Sequence, residues 1–496
     1  MRPLATLATA LVLGGLASCA TSGPLDPGTR ASALVTTMIR ADRRELEGRP
    51  RLVEGKYARM ARTVYDFYRG SMPLFRADSA DSRLRVAQTR FDLPGVLPFS
   101  VGDAHPENFG LLLAGDGTLA LEPNDLDAAD RYPYQIDLRR LAVGIALSAR
   151  IAGLSEADTR VVVDRCVTAY LATIRALARG EPITGRITEA DEAANPILFD
   201  LLRRGRRDRD ARAELEALTH MGPEGRRFLR GVVDPAEPEH VLADLPPWAI
   251  AGLARTMLDY RARLELPPAP EDLEVLDAVR EHGTGVASWA RIRVLVLVRG
   301  PSDSPDDDLV LEVKEEGQSG ATGPLPPGVF ADGEVERLRE APRGAWTTPT
   351  ADPYFGAATW VGIPVQVRRE SEAQKTFRTS RLVDERATPE ALGAFSELVA
   401  SLLARLQSRP ALGATGTFAQ SLDARVAGRE RAFVEDEVEV ALEHADVVEE
   451  DWQRFRDALR ARGPLLGFVE ADSSPHDLER AALYGSPPPV APWDTE

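Results

Sequence analysis

Apolar positions along this chain recur at two periods. Between 135 and 150 they fall at Leu138, Leu141, Ala142, Ile145 and Leu147, the single stripe of an amphipathic helix. The same spacing predicts helices over 30–46 and 56–68, the second stopped by Gly70. Helical patterns continue at 157–179, 190–204, 211–220 and 248–266, so residues 156–281 read as mostly helical. Others are expected at 332–341, 389–409, 417–449 and 452–461. Short apolar runs of strand type stand at 96–101, 109–113, 118–121, 292–298, 309–313 and 359–367. The fold class is therefore α+β. Two lobes are expected: a small antiparallel sheet built from strands between Arg291 and Val367, and a larger helical lobe. The segments are 30–281, 282–385 (the β-rich part) and 386–485, with a Pro-rich tail at 486–496 read as disordered.

One hairpin concentrates candidate chemistry. The strand expected at 96–101 ends at Gly102. Gly115-Asp116-Gly117 separates the next two runs and is strong turn punctuation. Folding back there turns Asp103, His105 and Asn108 toward Asp125 and Asp127. Carboxylates and an amide around one point suit a hard, oxygen-seeking cation such as magnesium. Asp and Asn are also common turn residues; it is the set, framed by apolar strands, that reads as a site. Binuclear metallophosphoesterases share a Gly-Asp-x-His string but need further His ligands. The other five, His220, His240, His282, His444 and His476, lie in no such context. Asp137, in the first turn of the helix over 135–150, suits the positive end of the helix dipole and is read as structural.

Charge and the N-terminus narrow the class. Lys and Arg number 60 against 77 acidic residues, a net charge of −17, which argues against nucleic-acid partners. Arg2 and a short apolar run lead into Leu16-Ala17-Ser18-Cys19, which resembles the lipobox of bacterial lipoproteins. Cleavage before Cys19 and its acylation are expected, with 1–19 as signal and 20–29 as a Gly/Pro-rich tether. That places the body on the periplasmic face of the cell envelope. The absence of Asp after Cys19 (Ala20 and Thr21 follow) slightly favours the outer membrane. No transmembrane helix is expected in the mature chain. Cys166 then has no partner and is read as a buried thiol.

The string GDAHPENFG resembles the His-Gly-Asp-x-His-x-x-Asn loop of aminoglycoside and choline kinases, and NDLDAAD resembles their second magnesium motif. With YDFYRG before them and IDLRRLAVGIALSAR after, the chain resembles domain-of-unknown-function family 2252, a bacterial family thought to belong to the kinase-like superfamily. Leu126 replaces an aromatic residue of the family pattern, and Ala128 an acidic one. The resemblance implies a two-lobed kinase-like fold and ATP- and magnesium-dependent phosphoryl transfer to a hydroxyl acceptor. Asp103 would deprotonate the acceptor. Asn108 and Asp125 would hold magnesium, supported by Asp127. His105 and Arg69 would support the loop, Arg69 as a helix-end cation or an anion ligand.

A Gly283-Thr284-Gly285 turn, an apolar strand and the strand-borne Lys314 follow more than a hundred residues later. Gly-rich turns and a strand Lys grip ATP phosphates in protein kinases. Ser288 stands where a third Gly would fall. The order is reversed relative to kinases, so the resemblance implies a permuted arrangement. Glu334 or Glu336 is the expected partner of Lys314. Two alternatives stand beside this reading: a catalytically inactive kinase-like binding module of the envelope, and a hydrolase or transferase using the same carboxylates with another phosphorylated substrate.

Overall fold

In the computed structural model of the chain, the stripe read over 135–150 forms the helix Tyr134–Ile151. The structure describes residues 27–496 apart from 89, 183–188, 209–210, 224, 266, 269–272, 303, 317–332, 348–350, 372, 412, 470–480, 486, 489–492 and 495–496. Cys19, with the signal and most of the tether, lies outside the described residues. The helix Tyr134–Ile151 is surrounded by Glu156–Ala178, Pro389–Gln407 and Glu430–Arg462. Leu138, Leu141, Ile145 and Leu147 are fully buried there. Each such side chain contributes roughly 1.5–3 kcal/mol on burial.

This helical core draws on both ends of the chain. Arg30, on the helix Pro27–Ala41, reaches Asp78 at 2.6 and 2.7 Å and Asp451 at 3.0 and 3.1 Å. A buried guanidinium between two carboxylates is satisfied, whereas losing either partner would leave a charge without compensation. The arrangement fastens the first described helix to the long C-terminal one.

Four short strands precede the main sheet: β1 (Phe99–Ser100), β2 (Phe109–Leu113), β3 (Leu119–Pro123) and β4 (Asp130–Arg131). β2 and β3 are the expected hairpin, and β1 pairs with β4. Then come β5 (Thr219–Gly222), β6 (Gly225–Phe228), β7 (Gly231–Asp234), β8 (Glu237–Asp244) and β9 (Val275–His282). β10 (Arg293–Val298), β11 (Leu309–Glu315), β12 (Gly356–Trp360) and β13 (Ile363–Arg369) complete the set. Seven of these form one antiparallel sheet in the order β12-β13-β11-β10-β9-β8-β7.

The two faces of this sheet differ. One is apolar across β9 to β13 and packs under the helix Pro247–Ala262 through Leu253, Met257 and Tyr260. On the other face Leu242, Val279, Leu295, Leu297 and Val310 pack with Leu215 and Phe228. Beyond that patch runs a polar row in strict register, Glu281, Arg293, Lys314 and Gln366. Because side chains alternate along a strand, Glu312 and Arg368 share this face with the row.

The mixed α+β class holds, and the expected sheet is larger than read. The strands β5 to β9, between Thr219 and His282, lie in a region expected to be mostly helical. Their sequences (THMG, GRRF, EPEHVLAD) are short and charge-rich, so neither period dominates. The run over 359–367 is two strands, broken by a turn with Val361 at φ 44° and Gly362 at φ 78°. The helix over 30–46 breaks at Asp42, whose carboxylate takes the buried Lys56 ammonium at 2.6 and 2.8 Å. The helix over 56–68 breaks at Thr63, which caps Val64–Gly70 by accepting from Asp66 N. At the C-terminus the break falls at 427–429, and Glu430–Arg462 is one 33-residue helix. Cys166 is a buried free thiol, as read. Among the described residues no helix is long and apolar enough to cross a membrane.

Candidate functional site

Asp103 follows a glycine for a physical reason. Gly102 has φ +83°, and a Cβ there would lie 2.1 Å from the Ala128 carbonyl oxygen. Helix Tyr134–Ile151 then locks the turn. The Asp137 carboxylate accepts from Val101 N at 2.7 Å and from Gly102 N at 2.9 Å. Burial pushes its pKa up to about 7 against these two donors. Asp137 is thus structural, as its position suggested, but it anchors the neighbouring loop rather than capping its own helix.

Arg140 lies one helical turn on, on the same face. It is fully buried and donates from Nε to Asp103 Oδ1 at 2.7 Å. Its Nη2 donates to the Tyr68 carbonyl at 2.7 Å, and its guanidinium covers the Tyr68 ring at 3.6 Å. Burial raises the Asp103 pKa above the usual carboxylate range, against the pull of Arg140. Asn108 donates from Nδ2 to the Asp103 carbonyl at 2.9 Å.

The rest of the loop is tied down from two sides. Glu107 accepts from Arg378 Nη1 and Thr379 N, each at 2.9 Å, and pairs with Arg69 at 3.2 Å. Arg69 therefore supports the loop through Glu107. His105 is buried edge-on to Tyr65, ring centroids 6.3 Å apart, with no hydrogen bond at Nδ1 among the described residues. Burial, then the cations Arg69, Arg140 and Arg378, push its pKa well below the ordinary value, so it is neutral.

Asp125 and Asp127 sit just past β3, where the sheet meets the hairpin. Lys314 Nζ, from β11, stands 3.4 Å from Asp125 Oδ1 and 3.2 Å from Asp127 Oδ2. Arg291 Nη1 reaches the same Asp127 oxygen at 2.8 Å. Burial opposes ionisation of Asp127, but Lys314 and Arg291 outweigh it and hold the pKa below the usual range. Lys314 is likewise held above the ordinary lysine range, chiefly by these two carboxylates once burial is overcome. The hairpin is fastened to the sheet again where Arg368 Nη1 donates to the Asn124 carbonyl at 3.2 Å.

Lys314 thus has Asp125 and Asp127 as partners. Glu334 and Glu336 do not pair with it: they are held on their own helix by Arg337 at 2.8 Å and Arg339 at 2.6 Å. A glutamate absent from the sequence reading stands closer. Glu316 is two residues past Lys314 and fully buried, and neither carboxylate oxygen has a hydrogen bond among the described residues. Burial pushes its pKa up to about 8, only partly opposed by Lys314 and Arg291. Arg140 and Arg291 were also not read as site residues. Only Arg140 carried a local signal, at i+3 from Asp137 on a helix; Glu316 falls just past the end of the strand that carries Lys314.

The Gly283–Gly285 turn closes β9 beside the same row. Gly283 has φ +83°, and a Cβ there would meet the Glu239 carbonyl oxygen at 2.0 Å. Thr284 donates to Glu281, and the Ser288 hydroxyl accepts from Arg293 Nη2 at 3.2 Å. Arg293 is the register partner of Lys314. The turn therefore lies at the Lys314 end of the sheet, and Ser288 serves a strand arginine.

The strings YDFYRG, GDAHPENFG, NDLDAAD and IDLRRL converge here with the sheet lysine, and a family model matches residues 48–458, most of the chain. The chain belongs to domain-of-unknown-function family 2252. The family is described as uncharacterized proteins conserved in bacteria. No curated protein and no solved structure matches the chain. Family membership brings no reaction with it, so the chemistry must be argued from the residues.

The donor set suits magnesium. That ion is commonly held by one or two carboxylates together with waters and substrate phosphates. Asp125 and Asp127 meet that requirement, with Asn108 on the adjoining loop. Among the described residues no group of three or more His, Cys, Asp or Glu is arranged to hold an ion alone. Substrate oxygens would have to complete the shell.

Proposed function

We propose that this protein is a lipid-anchored, kinase-like phosphotransferase of the bacterial cell envelope. It would move a phosphoryl group from a magnesium-bound donor, ATP being the first candidate, to a hydroxyl acceptor. The observation that carries this reading is the meeting of Lys314 with Asp125 and Asp127, across nearly two hundred residues, beside the rigid Asp103 loop. A cationic phosphate grip, an oxygen donor set and a positioned carboxylate are the parts phosphoryl transfer requires.

In this reading Asp103 orients the acceptor hydroxyl. It takes the proton as the acceptor oxygen bonds to phosphorus and the bond to the leaving phosphate breaks. A carboxylate raised by burial accepts that proton more readily. Arg140 fixes its rotamer. Asn108, Asp125 and Asp127 would hold magnesium, which when bound would supply charge neutralisation at the transferring group. Lys314 and the Gly283–Gly285 turn receive the donor phosphates. The lipobox ending at Cys19 supports anchoring at the periplasmic face, and a Cys19→Ser chain should lose its detergent-phase partition.

The test is a thermal-shift titration of the full-length chain in detergent with ATP, ADP and GTP, with and without magnesium, beside Asp125→Ala. Ligand bound only to the folded state raises the melting temperature by mass action. The expected result is a magnesium-dependent shift that the variant loses. A wild-type protein that melts cooperatively with no shift for any nucleotide overturns ATP as donor and favours a binding module. An Asp103→Asn protein with full transfer activity overturns the assigned base.

A further inference from the structure

Resting on the reading of Asp125 and Asp127 as cation ligands, the geometry points to a role for Glu316 that no motif carries. We propose that Glu316 is the alternate counter-ion of Lys314 and Arg291, taking both side chains when a divalent cation takes Asp125 and Asp127.

The case begins with charge. In the structure the two aspartates are already matched by two cations, Lys314 at 3.4 and 3.2 Å and Arg291 at 2.8 Å. A divalent ion arriving at these oxygens meets two positive charges in a site of low dielectric. Repulsion there is weakly screened, so Lys314 and Arg291 must give ground for the ion to bind. Lys314 is buried and the Arg291 side chain is 24% exposed, and a cation displaced within so closed a site needs a new carboxylate.

Glu316 is the carboxylate within reach. It stands one residue past the end of β11 and two beyond Lys314, where its amide donates to the Pro364 carbonyl at 3.0 Å and continues the pairing with β13. Arg291 Nη1 lies between it and Asp127, 3.7 Å from Glu316 Oε2 and 2.8 Å from Asp127 Oδ2. A small swing of one guanidinium exchanges the partners. The neighbouring glutamates are committed. Glu315 accepts from Arg49 Nη2 at 2.8 Å and from Ile292 N at 2.9 Å. Glu312 is held between Arg293 and Arg368, both at 2.8 Å. A fully buried carboxylate with no hydrogen bond is costly to keep. Glu316 has that character in the unliganded state and would be satisfied in the loaded one. After the exchange Lys314 and Arg291 share one carboxylate, leaving one positive charge for a phosphate oxygen to answer.

The experiment is calorimetric titration of the full-length chain with manganese and with magnesium, for the wild type, Glu316→Gln, Glu316→Asp and Asp125→Ala, with melting curves of each metal-free protein. We expect wild-type saturation and none in Asp125→Ala. Glu316→Gln should bind at least about tenfold more weakly, the scale set by residues that act through a metal's ligands. Its metal-free melting temperature should be unchanged or higher, because the carboxylate is unsatisfied there. Glu316→Asp, which keeps the charge, should recover part of the affinity. Undiminished binding by Glu316→Gln beside a binding wild type overturns the exchange alone, as does a lowered metal-free melting temperature with intact binding. A wild type that saturates with neither ion overturns the cation site and the exchange together.

Discussion

Asp103 and Asp127 are both largely buried carboxylates, each with an arginine at 2.7–2.8 Å, yet the loops that carry them are built differently. The Asp103 loop is held chiefly through main-chain groups: Asp137 takes two of its amides, Asn108 donates to one of its carbonyls, and Glu107 accepts from the Thr379 amide beside its ion pairs with Arg69 and Arg378. The Asp125–Asp127 loop is held to the sheet largely by side-chain ions, Lys314 and Arg291, with a spare carboxylate behind them. Main-chain bonds fix a geometry. Ion pairs among several like partners can be redistributed without unfolding anything. A group that must stand still for proton transfer belongs on the first kind of loop, and groups that must admit a cation belong on the second.

The sharpest way to break this contrast is Asp137→Ala. It leaves two buried amides without acceptors, and a loss of about 3–5 kcal/mol in urea unfolding is expected. Asp137→Asn keeps one acceptor oxygen and should lose roughly half as much. A loss below about 1 kcal/mol for Asp137→Ala would mean that the loop is not anchored by these bonds.

Lys314→Met should cost about 2–4 kcal/mol at neutral pH, because Asp127 keeps its charge with one cation fewer. The pH dependence has a defined sign. Lys314 and Arg291 hold the Asp127 pKa below its unfolded value, so that stability is present above the carboxylate range and lost as pH falls. The difference between wild type and variant should therefore shrink as pH falls below about 4. An unchanged difference at pH 3 would separate Lys314 from the Asp127 charge.

Arg140→Lys keeps a charge but loses the planar contact with Tyr68 and the fork that spans Asp103 and the Tyr68 carbonyl. A loss of about 1–2 kcal/mol is expected, with a larger fall in any transfer activity than in stability. Smallest is the pH slope contributed by Glu316. Its folded pKa is raised to about 8, so its contribution is present at low pH and lost as pH rises through that value. Wild type should lose a few degrees of melting temperature between pH 6 and 9 relative to Glu316→Gln. Parallel curves would place Glu316 in contact with water.

Much of the site was legible because its parts are local. Gly102-Asp103, Asn108, the Gly115–Gly117 turn, Asp125 and Asp127 lie on one hairpin, and hairpin register follows from turn and strand pattern. Arg140 was passed over because its helix reads as an apolar stripe, within which a buried arginine is visible only through what it meets. Arg291 precedes a strand and has no period of its own. The helix glutamates Glu334 and Glu336 were reasonable partners for Lys314 but are taken by i+3 arginines, the nearer and less costly pairing. The strands between 219 and 282 were missed because strands so rich in charge carry little alternation, and their pairing is set by the partners they meet in the fold.

By itself the chain determined its mixed class, the helices Tyr134–Ile151, Glu156–Ala178 and Pro389–Gln407, the hairpin and the spacing of the carboxylates on it. These depend on neighbours within a turn or a tight loop. Only the tertiary structure decided that Lys314 would meet Asp125 and Asp127 from 189 and 187 residues away, and that Arg140 would seat Asp103. It also decided that Glu316 would be buried with no hydrogen bond among the described residues, 3.7 Å from Arg291. Such pairings cost chain entropy and desolvation that no local pattern repays. They exist because the packed helical core and the seven-stranded sheet bring those charges to one place.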